Sequence, residues 1–199
     1  MLDEQERIIK DGSLEPVQKT KNLTIDIQNV KKDLVSYWTK EYINQAINEC
    51  EDYKKKVYCT FLFRTGLRVT ESINVRKKDF DFKNNLLKIR WLKNRKYHHR
   101  MVPLHQSLVM MLELYLSTIN QEDKVFPWSR NYSYQVVQEV LGGNPHKLRH
   151  SFAVHWLKSG LDLYILSKVL GHSSIRTTEK HYLNIVPLDQ GRELNKVEF

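Results

Sequence analysis

The sequence predicts a mainly α-helical domain with one small three-stranded antiparallel sheet inserted between its helices. Three observations carry this expectation. Apolar residues recur at helical spacing along most of the 199-residue chain. The period drops to two only between about residues 79 and 104, then returns to helical. Glycines and short polar residues fall where helices should stop and start. Hydrophobic residues make up 41% of the chain and aromatics 11%, a globular composition.

Residues 1–36 are polar, contain Gly12 and Pro16, and alternate weakly at Leu23, Ile25 and Ile27. They read as an arm, a linker or the remnant of another domain. Organised structure begins near Trp38. Thr39 is a good N-cap for a helix turning Ile43, Ala46 and Ile47 inward. A second helix, about residues 53–65, carries "VYCTFLF" and stops at Gly66. A short helix, "RVTESINV", follows. "DFDFKN", "NLLKIRWL" and "HHRMVPL" then read as strands, with "KNN" and "NRKY" as turns.

Helical spacing resumes in "SLVMMLELYLS" and, after a loop with Pro127, over about residues 132–141, ending at Gly142-Gly143. Pro145 opens "HKLRHSFAVHWLKS", which Gly160 closes. Asp162 caps "LYILSKVL", closed by Gly171, and Ser173 or Ser174 caps a last helix through Tyr182. The end of the chain reads as a short tail. There is no internal repeat.

Charge narrows the class of partner. Lys plus Arg number 32 against 23 Asp plus Glu, a formal +9, so a polyanion is the natural partner. Cys50 and Cys59 form neither a disulfide framework nor a CxxC motif. The N-terminal "MLDEQERIIK" is unlike a secretory signal, and no apolar run approaches the roughly 18 residues of a membrane span. A soluble, cytoplasmic protein is expected.

The densest cluster of cations is "NPHKLRHSF". His146, Arg149 and His150 stand at i, i+3 and i+4 and share one helix face near the helix N-terminus. Such donors repel one another when alone and become favourable around an anion. Two competing readings stand beside this one. Two histidines at i and i+4 could bind a metal, although no HExxH glutamate is present and Lys147 and Arg149 oppose a cation. They could also be plain buried histidines. Lys147 lies on a different face, toward flanking backbone or solvent.

Three more segments draw notice. In "VLGHSSIRTTEKHY", His172 follows a helix C-terminus whose dipole favours imidazolium, and Tyr182 comes ten residues later. A solvated turn histidine and a core tyrosine are the plain alternatives. In "RTGLRVTES", Glu71 at i+3 can orient Arg68, or the two form a surface ion pair. Arg64 is a weaker candidate within its apolar helix. The hairpin "KIRWLKNRKYHHR" is basic, bears Trp91 and Tyr97, and contains no acid, which suits a nucleic-acid backbone or a solvated hairpin.

Taken in order, "TGLRVTES", "HKLRHSFAVHWLKSG" and "LGHSSIRTTEKHY", with hairpin lysines between the first two, resemble the catalytic domain of the tyrosine recombinases, the integrase and Xer-like family. The resemblance covers about residues 37–187, leaving an N-terminal segment 1–36 and a tail 188–199. It implies that Arg68 and Arg149 clamp a scissile phosphate and that His146 and His172 complete the pocket. Lys93 would be the general acid and Tyr182 the nucleophile, with Glu71 and His150 in support. Arg90, Arg95, Lys96 and Arg100 would contact DNA. No metal or cofactor is implied, and no ATP either, because a 3′-phosphotyrosyl bond conserves the energy of the phosphodiester.

This chemistry suits these residue types. Arginines and imidazoles stabilise charge on nonbridging oxygens, a tyrosine of pKa near 10 needs cations or a base, and a lysine can protonate the leaving 5′-oxygen. The sequence departs from the family pattern in three places. The interval from His172 to Tyr182 is one residue longer than usual, which puts His181 in the nucleophile's register. The hairpin turn is lengthened, so Lys96 competes with Lys93. The family's N-terminal DNA-clamping domain is expected to be absent or reduced to about 36 residues, the chain being either a small recombinase or a catalytic fragment.

The resemblance further implies double-stranded DNA as partner and a homo-oligomer, a tetramer, assembled on it, with the tail docking on a neighbour. A DNA-binding regulator without strand transfer and a type IB topoisomerase-like activity are the alternatives.

Overall fold

A computed structural model of the chain describes residues 36–93, 96–172 and 174–182, and for residues 92, 93, 96 and 97 the backbone only. The expected arm before residue 36, Arg95, Ser173 and the tail therefore lie outside the described residues, as do the side chains of Lys93 and Lys96.

Eight α-helices and a three-stranded sheet occupy the described residues. They run α1 (Lys40–Glu49), α2 (Tyr53–Thr65), α3 (Val69–Ser72), β1 (Phe80–Asp81), β2 (Leu86–Lys93), β3 (Lys96–Pro103), α4 (Gln106–Leu116), α5 (Arg130–Leu141), α6 (Pro145–Lys158), α7 (Leu163–Leu170) and α8 (Ile175–Tyr182). None of the described helices is long and apolar enough to cross a membrane. Thr39 caps α1 by accepting from the Tyr42 N–H, and Asp162 caps α7 by accepting from the Ile165 N–H. Gly66, Gly142 and Gly171 close α2, α5 and α7 in the left-handed conformation.

Helix α2 is central because it is apolar on several faces. It buries Val57, Tyr58, Cys59, Phe61, Leu62 and Phe63, and packs against α4, α5 and α6. Tyr58 is fully buried, meets Phe126 and Trp128 edge-on, and its hydroxyl lies 3.0 Å from Ser72 Oγ. That contact ties the short α3, with Glu71 on it, to the core.

Gly66 then brings α2 against α6. Its φ of +63° favours glycine, and a Cβ there would lie 2.3 Å from Cδ1 of Phe152 on α6. The segment before α1 is held to α6 as well, where the Trp38 N–H donates to Ser151 Oγ at 2.9 Å.

The sheet is an antiparallel meander in the order β1-β2-β3. Leu87, Ile89 and Val102 face the core, while Lys88, Arg90, His99 and Met101 are exposed. Two boundaries differ from expectation. β1 is only two residues long, because Asp81 caps a turn by accepting from the Asn84 N–H at 3.1 Å and Asn85 adopts φ 54°. β3 starts at Lys96, two residues before the expected His98, and pairs Lys96 with Lys93. The turn is therefore shorter than "NRKY", and the two candidate lysines stand opposite each other across the hairpin.

Candidate active site

Four distant segments converge beside the C-termini of α2 and α7. Arg68 is the N-cap residue of α3, Glu71 lies within α3, and Arg149 comes from the second turn of α6. His172 follows α7, and Tyr182 ends α8.

Arg149 is 7% exposed. Its Nη1 donates to Gly66 O and its Nη2 to Leu170 O, both at 2.7 Å. Arg68 Nη1 also reaches Leu170 O, at 3.4 Å. These carbonyls close α2 and α7, where the helix dipole favours cations. The sequence pattern suggested that Arg149 serves the N-terminus of its own helix; instead it spans two helix C-termini. Burial, then the charge of Arg68, pulls the Arg149 pKa down to about 10, so it remains cationic at neutral pH.

Glu71 is the carboxylate at the centre, with a side chain 9% exposed. It accepts from the Arg68 N–H at 2.9 Å and from Arg68 Nη1 at 3.3 Å, and stands 4.0 Å from Arg149 Nη1. Arg100 grips both carboxylate oxygens at 2.9 Å. Burial would raise the carboxyl pKa, but Arg100, the Arg68 N–H and the Arg149 charge outweigh it and hold it below its ordinary 4.5.

Arg100 departs from the expected DNA contact. Its side chain is 8% exposed, and its Nε donates to Val169 O at 2.8 Å. Strand parity carries the reason: Arg100 is paired with the buried Ile89 and lies two residues from the buried Val102. Arg90, of the opposite parity, is exposed, with Nη2 3.0 Å from Asp79 Oδ1.

His172 is half-buried. Its Nε2 lies 3.3 Å from Arg149 Nη2 and its Nδ1 2.7 Å from Thr178 Oγ1. Burial, then the charges of Arg149 and Arg68, depresses its pKa to about 4. At neutral pH it is therefore neutral, against the imidazolium expected from the α7 dipole. His146 is exposed at the first turn of α6. Lys147 also departs from expectation, since its Nζ sits 4.8 Å above the Trp38 ring.

Tyr182 is 2% exposed, with Oη 2.7 Å from His150 Nδ1. Burial raises its pKa to about 12, while burial and then the charges of His181, His146 and Arg149 lower His150 to about 4. Thr178 and Tyr182, four apart on α8, both face inward, and His181 is exposed beside them. Among the described residues, no group of three or more His, Cys, Asp or Glu is arranged to hold a metal ion.

Residues 37–187 match the model of the phage integrase family. Tyrosine recombinase XerA of Saccharolobus solfataricus is 32% identical over 158 residues, covering 77% of this chain and 54% of that protein. XerA of Pyrococcus horikoshii is 30% identical over 168 residues, covering 75% and 57%. The chain thus spans little more than half the length of these curated relatives.

The fold matches the crystal structure of XerA recombinase with a TM-score of 0.68 at 23% identity, over 83% of this chain and 67% of that one. It matches XerH recombinase bound to its difH substrate at 0.63 and 20% identity, covering 81% and 53%. The catalytic domain of bacteriophage HP1 integrase matches at 0.59 and 19% identity, covering 81% and 94%.

Proposed function

This chain belongs to the phage integrase family, and from that premise we propose that it is a site-specific DNA recombinase, cleaving and rejoining duplex DNA through a 3′-phosphotyrosyl bond at Tyr182. One observation carries the reading. Three guanidiniums, from Arg68, Arg100 and Arg149, surround the single carboxylate of Glu71. The pocket keeps a surplus of positive charge, which a phosphodiester offsets.

In this mechanism Arg68 and Arg149 hold the nonbridging oxygens, and His172 and His146 border them. Tyr182 Oη forms a bond to phosphorus as the bond to O5′ breaks. The tyrosine proton passes to a base, for which His150 is the adjacent candidate, and a hairpin lysine, Lys93 or Lys96 opposite it, protonates the leaving oxygen. Tyr182 is buried, with its hydroxyl held against His150 at 2.7 Å. The described arrangement is thus a resting one, and α8 must bring Tyr182 out to the cations before attack. Exchange between two duplexes requires several copies, so the active form is an oligomer on DNA, with the segment after Tyr182 serving as the inter-copy contact. The protein accordingly works in the DNA-bearing compartment.

The test is a nicked suicide duplex that traps a covalent protein–DNA adduct, with the modified residue located by mass spectrometry. The adduct should form on Tyr182, vanish in Tyr182→Phe and persist in His181→Phe. An adduct surviving in Tyr182→Phe would show the nucleophile to lie elsewhere. The burial of Tyr182 favours one second reading, a DNA-binding regulator without strand transfer. It predicts salt-sensitive DNA binding with no adduct under any condition. Relaxation of supercoiled plasmid without a specific site would instead indicate topoisomerase-like activity.

A further inference from the structure

We propose that Arg100 is a positioning residue for strand cleavage: it holds Glu71 so that Arg68 and Arg149 stay available to the phosphate, and it does not itself touch DNA. The proposal rests on the strand-cleavage reading above.

The distances around Glu71 show which cation dominates. Arg100 makes two parallel bonds of 2.9 Å to Oε1 and Oε2, whereas Arg68 Nη1 stands at 3.3 Å and Arg149 Nη1 at 4.0 Å. A planar fork facing a carboxylate is the strongest of these geometries. With both oxygens engaged by Arg100, the carboxylate cannot swing to make equally close pairs with Arg68 or Arg149. Without Arg100, it would close on those two guanidiniums and occupy the donors that a phosphate needs.

The surroundings are shaped for this role. Arg100 Nε donates to Val169 O at 2.8 Å, its Cζ lies 5.5 Å from the Trp91 ring, and its side chain is 8% exposed. The turn carrying His172 passes directly over it. A Cβ on Gly171 would lie 2.8 Å from Arg100 Nη1, and Gly171 has φ +68°, so both space and backbone favour glycine there. Arg100 thereby links β3 of the lysine-bearing hairpin to α3 and to the end of α7.

Arg100→Lys and Arg100→Gln in the full chain test the idea. On the nicked duplex at saturating protein, both variants should form adduct about 10- to 100-fold more slowly, as expected for misplaced catalytic groups. The final amount of adduct per folded protein should be unchanged while its rate of formation falls, whereas simple destabilisation leaves both the amount and the rate per folded protein at the wild-type value. Lysine should fail much as glutamine does, because a point charge cannot replace the fork. The slope of log affinity against log salt should stay at the wild-type value.

A contact to a DNA phosphate predicts the opposite pattern, a slope shallower by about one in Arg100→Gln and near-normal function in Arg100→Lys. That result, or wild-type rates in both variants, overturns the proposal. A readout without DNA separates this from the strand-cleavage reading itself. The Arg68 amide donates to Glu71 Oε2 at 2.9 Å, so its hydrogen exchange should quicken at least about 10-fold in both variants relative to amides of α2. Unchanged Arg68 protection would sink the positioning claim even if wild-type protein forms no adduct.

Discussion

Replacing Glu71 by Gln keeps the shape of the side chain and removes the negative charge among Arg68, Arg100 and Arg149. The carboxylate is 9% exposed and takes both Arg100 nitrogens at 2.9 Å. Glutamine offers one oxygen and one NH2, so one arm of the Arg100 fork would meet a donor. Removing one partner of a buried ion pair typically costs about 3–5 kcal/mol. For a chain of this size, that corresponds to a fall in melting temperature of roughly 6–20 °C. Urea denaturation of the full chain at pH 7, followed by circular dichroism, measures it.

The pH dependence has a definite sign. The Glu71 carboxyl titrates below its ordinary 4.5 in the folded protein, so the folded state binds fewer protons there than the unfolded chain. Its contribution is complete above about pH 4.5 and is lost as the pH falls through the lowered folded value. The gap between wild type and Glu71→Gln should therefore be flat near neutrality and close in acid. Sulfate should stabilise the variant more than the wild type, since the variant has more uncompensated positive charge. A loss under about 1 kcal/mol, or a gap that persists in acid, would refute the reasoning; the carbonyls of Gly66, Val169 and Leu170 would then suffice to hold the cations.

Three further outcomes are expected. Gly66→Ala should destabilise by roughly 2–4 kcal/mol, from an unfavourable left-handed alanine and a Cβ at 2.3 Å from Phe152, measured by urea denaturation. His150 and His172, both near 4 when folded against an ordinary 6.5, should make stability fall as the pH drops from about 6.5 toward 4, and His150→Gln with His172→Gln should flatten that limb in a thermal-melt series. Lys147→Ala should cost about 0.5–1 kcal/mol through loss of its contact with Trp38, and should leave the salt slope of DNA binding unchanged.

Much of the fold was legible because it follows from short-range rules. Thr39 and Asp162 cap the helices they were expected to cap, and Gly66 and Gly171 end α2 and α7 in the left-handed conformation. The return from period two to helical spacing marks where the sheet ends and α4 begins. The hairpin boundary was misplaced because "KY" continues a strand as easily as it fills a turn, and pairing with β2 decides between them. The inward setting of Arg100 was detectable, since in "HHRMVPL" it shares parity with Val102 and Leu104, both buried. Its basic character in a basic hairpin outweighed that signal. The spacing of four put Tyr182 on the same face as Thr178, but only packing turned that face inward.

The sequence by itself determined the helical class, the single meander and the order of the motif segments, because caps, glycines and periodicity act over a few residues. Only the tertiary structure decided what each charge does. Arg149 bonds Gly66, 83 residues away, and Arg68 reaches Leu170, 102 residues away. Burial neutralises His172 against the preference of its own helix end, and Lys147 spends its charge on Trp38 rather than on solvent. Electrostatic energies depend on distance and on exclusion of water, and both are set by packing between segments that no local pattern relates.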